Sequence, residues 1–79
     1  KQLFHDSKTI LQEMIQEKCH ENTHILYPVI SEQGPDHDKQ FEVCCEINGV
    51  KYAKGSGHTK KSAEQMAAYE TILLLKNGE

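Results

Sequence analysis

Apolar and polar positions along this chain change period twice, and each change marks a change of element. Between Asp6 and Lys18, Ile10, Leu11, Met14 and Ile15 recur at helical spacing, which predicts a helix with one apolar stripe. Thr9, Gln12, Glu13 and Gln16 fall together on its polar face, and Asp6 or Ser7 can cap its start. Residues from Ile25 to Glu32 read as a strand, and Pro28, which has no N–H for a ladder, puts that strand at a sheet edge. From Lys39 to Ile47 the period becomes two. Phe41, Val43, Cys45 and Ile47 take one face and Gln40, Glu42, Cys44 and Glu46 the other, so Cys44 is expected on the open side, partly exposed.

Turn chemistry separates these elements. Gln33-Gly34-Pro35-Asp36-His37-Asp38 is a loop, and Asn48-Gly49 is a strong two-residue hairpin signal. A third strand follows from Val50 to about Lys54, and Gly55-Ser56-Gly57-His58 reads as a glycine-loosened loop. The last helix is predicted from Lys60 to about Leu75, with Ala63, Ala67, Ala68, Thr71, Ile72 and Leu75 inward and Tyr69 and Leu73 outward. Its alanines allow close approach to a neighbour. The order α-β-β-β-α defines an α+β fold, a three-stranded antiparallel sheet covered on one face by two helices. Residues 6–76 form the domain, Lys1 to His5 a linker end, Cys19 to Thr23 a polar loop, and residues 77–79 a tail.

Composition narrows the function classes. Seventy-nine residues suffice for one small core, and the start at Lys1 without a methionine suggests a piece of a longer protein. No apolar run approaches the roughly 20 residues a membrane helix needs. Three cysteines, two of them adjacent at Cys44 and Cys45, make no disulfide framework and point to free thiols in a reducing cytoplasm. No Cys-x-x-Cys or paired-histidine spacing indicates zinc, and His5, His20 and His24 carry no evident task. The net charge of −3 and the lack of arginine argue against a generally basic nucleic-acid binder. They leave open one whose lysines are grouped on a single face.

Such a group stands at the start of the last helix. Thr59 is a natural N-cap, and Lys60 and Lys61 occupy the first turn. Lysine there opposes the helix dipole, whose positive end already lies at that terminus. A first turn built this way suits an anion supplied from outside, and helix N-termini bind phosphate through their free amides. His58 precedes the cap and adds positive charge when protonated.

Taken with the element order, these residues resemble the double-stranded RNA-binding domain, most closely the version at the C-terminus of bacterial ribonuclease III. Three segments carry the likeness: Lys8-Thr9-Ile10-Leu11-Gln12-Glu13, Gly34-Pro35-Asp36-His37 followed by Phe41, and Thr59-Lys60-Lys61-Ser62-Ala63-Glu64-Gln65. Stand-alone members of that family often have lysine where Glu64 stands, whereas glutamate is usual in the ribonuclease III version. The family's Pro-x-Tyr strand start is altered: Tyr27 fits, Ile25 replaces the proline, and Pro28 is added.

The resemblance implies shape recognition of A-form RNA in three patches. Thr9, Gln12, Glu13 and Gln16 would face one minor groove, whose 2′-hydroxyls offer Glu13 donors and select RNA over DNA. Pro35, Asp36 and His37 would enter the next minor groove. His58, Thr59, Lys60 and Lys61 would meet phosphates across the intervening major groove. It further implies a parent endoribonuclease, with Mg²⁺ and homodimerisation supplied by a nuclease domain outside this chain. The fragment itself would be non-catalytic, monomeric and without a cofactor. Rival readings are a non-catalytic RNA-binding regulator, a degenerate copy used for protein pairing and, furthest from the residues, a catalytic or zinc-dependent domain.

Overall fold

A computed structural model of the chain describes residues 6–18 and 24–77. The predicted linker end, the loop from Cys19 to Thr23, His5 and His20 lie outside the described residues. Helix α1 (Ser7–Lys18) comes first, followed by strands β1 (Ile25–Leu26), β2 (Val29–Gln33), β3 (Gln40–Ile47) and β4 (Val50–Gly57), and helix α2 (Lys60–Asn77) closes the chain.

All strand pairs are antiparallel, and β3 is the middle of the sheet. Val43 of β3 pairs with Val29 on one side and Gly55 on the other, and Ile47 pairs with Ile25 and Val50. Strands β1 and β2 therefore share one edge of β3, and β4 lies along the opposite edge. The single edge strand expected from Ile25 to Glu32 is thus divided at Tyr27-Pro28. Pro28 contributes only its carbonyl, which accepts from the Cys44 amide at 3.1 Å, and the register then shifts between Val29 and Ser31. Sheet closure at the other end follows the hairpin signal. Asn48 and Gly49 have φ of 53° and 86°, the pair of positive values that a type I′ turn requires.

Leu11 and Ile15 of α1, Val43, Cys45 and Ile47 of β3, and Ala63, Ala67, Ala68 and Ile72 of α2 make the core. Ile10, Met14, Ile25, Tyr27, Phe41 and Leu75 pack around it. Both predicted apolar stripes therefore face the sheet. Full burial of Leu11 and Ile72 stabilises the fold by roughly 1.5–3 kcal/mol each. No helix among the described residues is long and apolar enough to cross a membrane.

Two expectations are corrected. Gly55-Ser56-Gly57 is the end of β4, paired with Val43, Glu42 and Phe41, and not a loop. Gly55 is in the strand because nothing larger fits: a Cβ there would lie 2.5 Å from the Ala63 carbonyl oxygen and would also strike the Ala67 backbone. Glycine on the strand and alanine on the helix bring β4 and α2 into backbone contact. Cys44 is the second correction. It lies on the open face yet is only 3% exposed, because it is a small side chain at the centre of the middle strand. Lys54 stands opposite it on β4, and Pro28 is bonded to it on the other edge.

Candidate nucleic-acid interface

The polar face of α1 is the first of three surface patches. Thr9, Gln12, Glu13 and Gln16 are all exposed, held outward by the burial of Leu11 and Ile15 on the opposite side. Gln12 borders a shallow recess of about 250 Å³ with His24, Ile25 and Leu26.

The second patch is the turn between β2 and β3. Gly34 has φ of 96°, a left-handed conformation that favours glycine, and a Cβ there would run into the Asp38 carbonyl oxygen. The Asp38 amide donates to the Pro35 carbonyl at 2.9 Å and closes the turn. Pro35, Asp36 and His37 are left exposed at its tip.

The start of α2 is the third. The Ser62 amide donates to the Thr59 hydroxyl oxygen at 3.0 Å, and the Ala63 amide to the Thr59 carbonyl at 3.0 Å. Thr59 is therefore the N-cap that its position predicts. His58, Lys60 and Lys61 are exposed, and the first turn contains no acid. Among the described residues, no carboxylate pairs with Lys60 or Lys61. Two other lysines, Lys8 and Lys39, do have such partners: Lys8 lies 2.6 Å from Glu64 and Lys39 lies 3.4 Å from Glu32. Positive charge is thus left available where free amides and the helix dipole already favour an anion.

These patches adjoin in pairs. The His58 Nδ1 lies 3.2 Å from the Lys39 carbonyl and 3.5 Å from the Asp38 carboxylate, which sets the β2–β3 turn against the start of α2. The Lys60 ammonium stands 5.9 Å from the centroid of the Phe41 ring, within the range of a cation–π contact. Asp36, His37, Asp38, Lys39, Phe41 and His58 together line a cavity of about 380 Å³. On the other side, α1 is joined to α2 through Lys8. Its amide donates to the Gln65 Oε1 at 3.1 Å and its ammonium meets Glu64.

Phe41, Lys8 and Glu64 are the residues that sequence reasoning does not assign to the site. Lys8 and Glu64 stand in the sequence only as parts of motifs, and a separation of 56 positions hides their pairing from any local pattern. Perturbed titrations lie elsewhere, in the core. Burial pushes the Tyr27 phenol and the Cys45 thiol above their ordinary values. Neither belongs to the three patches.

A two-helix, single-sheet fold with a lysine-bearing helix start beside a proline turn is the arrangement of an RNA-binding module. Residues 7–75 match the family model of the double-stranded RNA binding motif, and the chain belongs to that family. Among its relatives is Ribonuclease 3 of Bdellovibrio bacteriovorus, 46% identical over 67 residues, which are 85% of this chain and 28% of that protein. Ribonuclease 3 of Streptococcus pyogenes serotype M3 is 50% identical over 70 residues, 89% of this chain and 30% of the relative. The chain thus spans less than a third of the length of these relatives.

Proposed function

We propose that this domain binds double-stranded RNA by shape, without reading sequence, as the RNA-binding module of a ribonuclease III-type endoribonuclease. The observation that carries the reading is the placement of two unneutralised lysines, Lys60 and Lys61, between the α1 polar face and the Gly34–Asp38 turn. Thr9, Gln12, Glu13 and Gln16 meet 2′-hydroxyls and base edges in one minor groove, where A-form RNA is wide and shallow. Pro35, Asp36 and His37 reach the next minor groove. His58, Thr59, Lys60 and Lys61 hold phosphates across the major groove, which is too deep and narrow for side chains to read.

Hydrolysis belongs elsewhere in such a protein. Two-metal cleavage needs a convergent cluster of carboxylates, which would lie outside this domain, so no cleavage step is assigned to it. A nuclease domain of the same protein would bring the Mg²⁺ site and homodimerisation, with this domain monomeric on its own and the whole acting in the cytoplasm.

The test is direct titration of labelled duplexes that differ in length and sugar. RNA duplexes of about 16 base pairs or more should bind with little dependence on sequence. Much shorter RNA duplexes and DNA of the same sequence should bind poorly. Equal affinity for DNA, or no binding to any RNA duplex at low salt, would overturn the reading.

A further inference from the structure

We propose that Lys8 is a positioning residue for duplex binding: it fixes how the polar face of α1 sits relative to the lysine-bearing start of α2, and holds no phosphate itself. The inference rests on the RNA-binding reading above and deepens it.

Lys8 is held from three sides. Its amide donates to the Gln65 Oε1 at 3.1 Å, its ammonium lies 2.6 Å from the Glu64 Oε1, and the same ammonium stands 5.2 Å from the centroid of the Tyr27 ring. Amides in the first turn of a helix have no intrahelical partner, so Gln65 supplies from α2 what α1 cannot supply for itself. One attachment through the main chain and one through the side chain restrain rotation of α1 as well as its separation from α2. They add to the restraint that burial of Leu11 and Ile15 already places on α1.

The third support is tied into the same frame. Tyr27 packs against the core cluster to which Cys45 of β3 and Ala68 and Ile72 of α2 belong. Both ends of the Lys8 joint therefore lead back to α2.

Position gives the joint its leverage. Lys8 precedes Thr9 directly and lies four residues before Gln12, while Glu64 lies four residues after Lys60, one turn along the same helix face. A change at the joint moves two of the RNA-facing patches relative to each other, whereas the groove spacing of A-form RNA is fixed. The Glu64 carboxylate meanwhile occupies the charge that a phosphate would otherwise attract.

The experiment is RNA-duplex titration across a salt series for wild type, Lys8→Ala, Lys8→Arg and Glu64→Gln, with thermal unfolding of each. Lys8→Ala should bind roughly three- to tenfold more weakly while keeping the wild-type dependence of log K on log salt, and Lys8→Arg should restore most of the affinity. Glu64→Gln is the sharper arm. Removing a negative charge strengthens attraction to a polyanion, so weaker binding by this variant, with the chain still folded at the titration temperature, supports a positioning role.

Stronger binding by Glu64→Gln, or a salt slope for Lys8→Ala that falls by about 0.7–0.9, would overturn it and make Lys8 a phosphate ligand. Unchanged affinity in Lys8→Ala would overturn it too. Failure of the wild-type chain to bind RNA duplexes would instead defeat the functional reading beneath it.

Discussion

Gly55 of β4 lies so close to Ala67 of α2 that a β-carbon on the glycine would enter the Ala67 backbone. Neither partner can retreat, because the obstacle is main chain on a helix whose Ala63, Ala67 and Ala68 are fully buried. Gly55→Ala should therefore destabilise the domain by about 3 kcal/mol, the upper end of ordinary overpacking. Urea unfolding followed by circular dichroism measures it, and a loss under about 0.5 kcal/mol, the size of a neutral surface change, would contradict the packing described.

The Thr59 cap is a smaller and separable term. Thr59→Ala removes the acceptor of the Ser62 amide and is expected to lower stability by about 1 kcal/mol. Thr59→Ser keeps an oxygen at that position and should recover most of the loss in the same unfolding measurement.

Lys60 and Lys61 are expected to act on binding without holding the fold together. Both are exposed, so Lys60→Ala with Lys61→Ala should leave the melting temperature nearly unchanged while weakening binding to all RNA duplexes alike. The dependence of log K on log salt should flatten by roughly 0.7–0.9 for each phosphate no longer neutralised. A slope equal to that of wild type would remove these residues from the phosphate-binding surface.

His37 stands at the exposed tip of a turn closed by the Asp38 amide and the Pro35 carbonyl. His37→Ala should accordingly weaken RNA binding and leave unfolding in urea unaltered. Weaker binding accompanied by a lower urea midpoint would mean that the side chain shapes the turn.

Alkaline pH acts on the core. Cys45 is displaced upward from its ordinary value of 9.0 by burial, and Tyr27 upward from 10.0 by burial and the neighbouring Cys45. In each case the folded state favours the neutral form. The corresponding stability is fully present below the unfolded value and is lost as pH rises toward the raised folded one. Unfolding free energy should therefore fall from about pH 9 upward, by at most about 1.4 kcal/mol per pH unit for each group. Cys45→Ala should show a shallower decline than wild type when urea midpoints are followed from neutral to alkaline pH.

Periodicity made most of the architecture legible. The α1 stripe at Ile10, Leu11, Met14 and Ile15, the alternation from Phe41 to Ile47, and the Asn48-Gly49 turn are local patterns, and local patterns survive in a sequence. What escaped depends on partners distant in the chain. Gly55-Ser56-Gly57 reads as a loop until the helix that needs the missing side chains is in place. Cys44 reads as partly exposed until its place in the middle strand is known. Within the candidate site, the Thr59 cap and the lysine-bearing first turn after it were legible from helix-start physics alone. The Lys8–Glu64 pair was not, since neither residue carries a mark of the other.

The broken edge formed by β1 and β2 bears on how the molecule behaves at high concentration. An unpaired strand edge is a template on which another chain can add, and sheets that offer long regular ones tend to aggregate. Here β1 supplies two residues, Pro28 has no amide proton to offer, and the register slips between Val29 and Ser31. An incoming strand finds no continuous row of donors and acceptors beside Leu26, Val29 and Ile30, the exposed aliphatic side chains along that border. One proline thus interrupts the ladder along an apolar rim, where a regular edge would favour self-association.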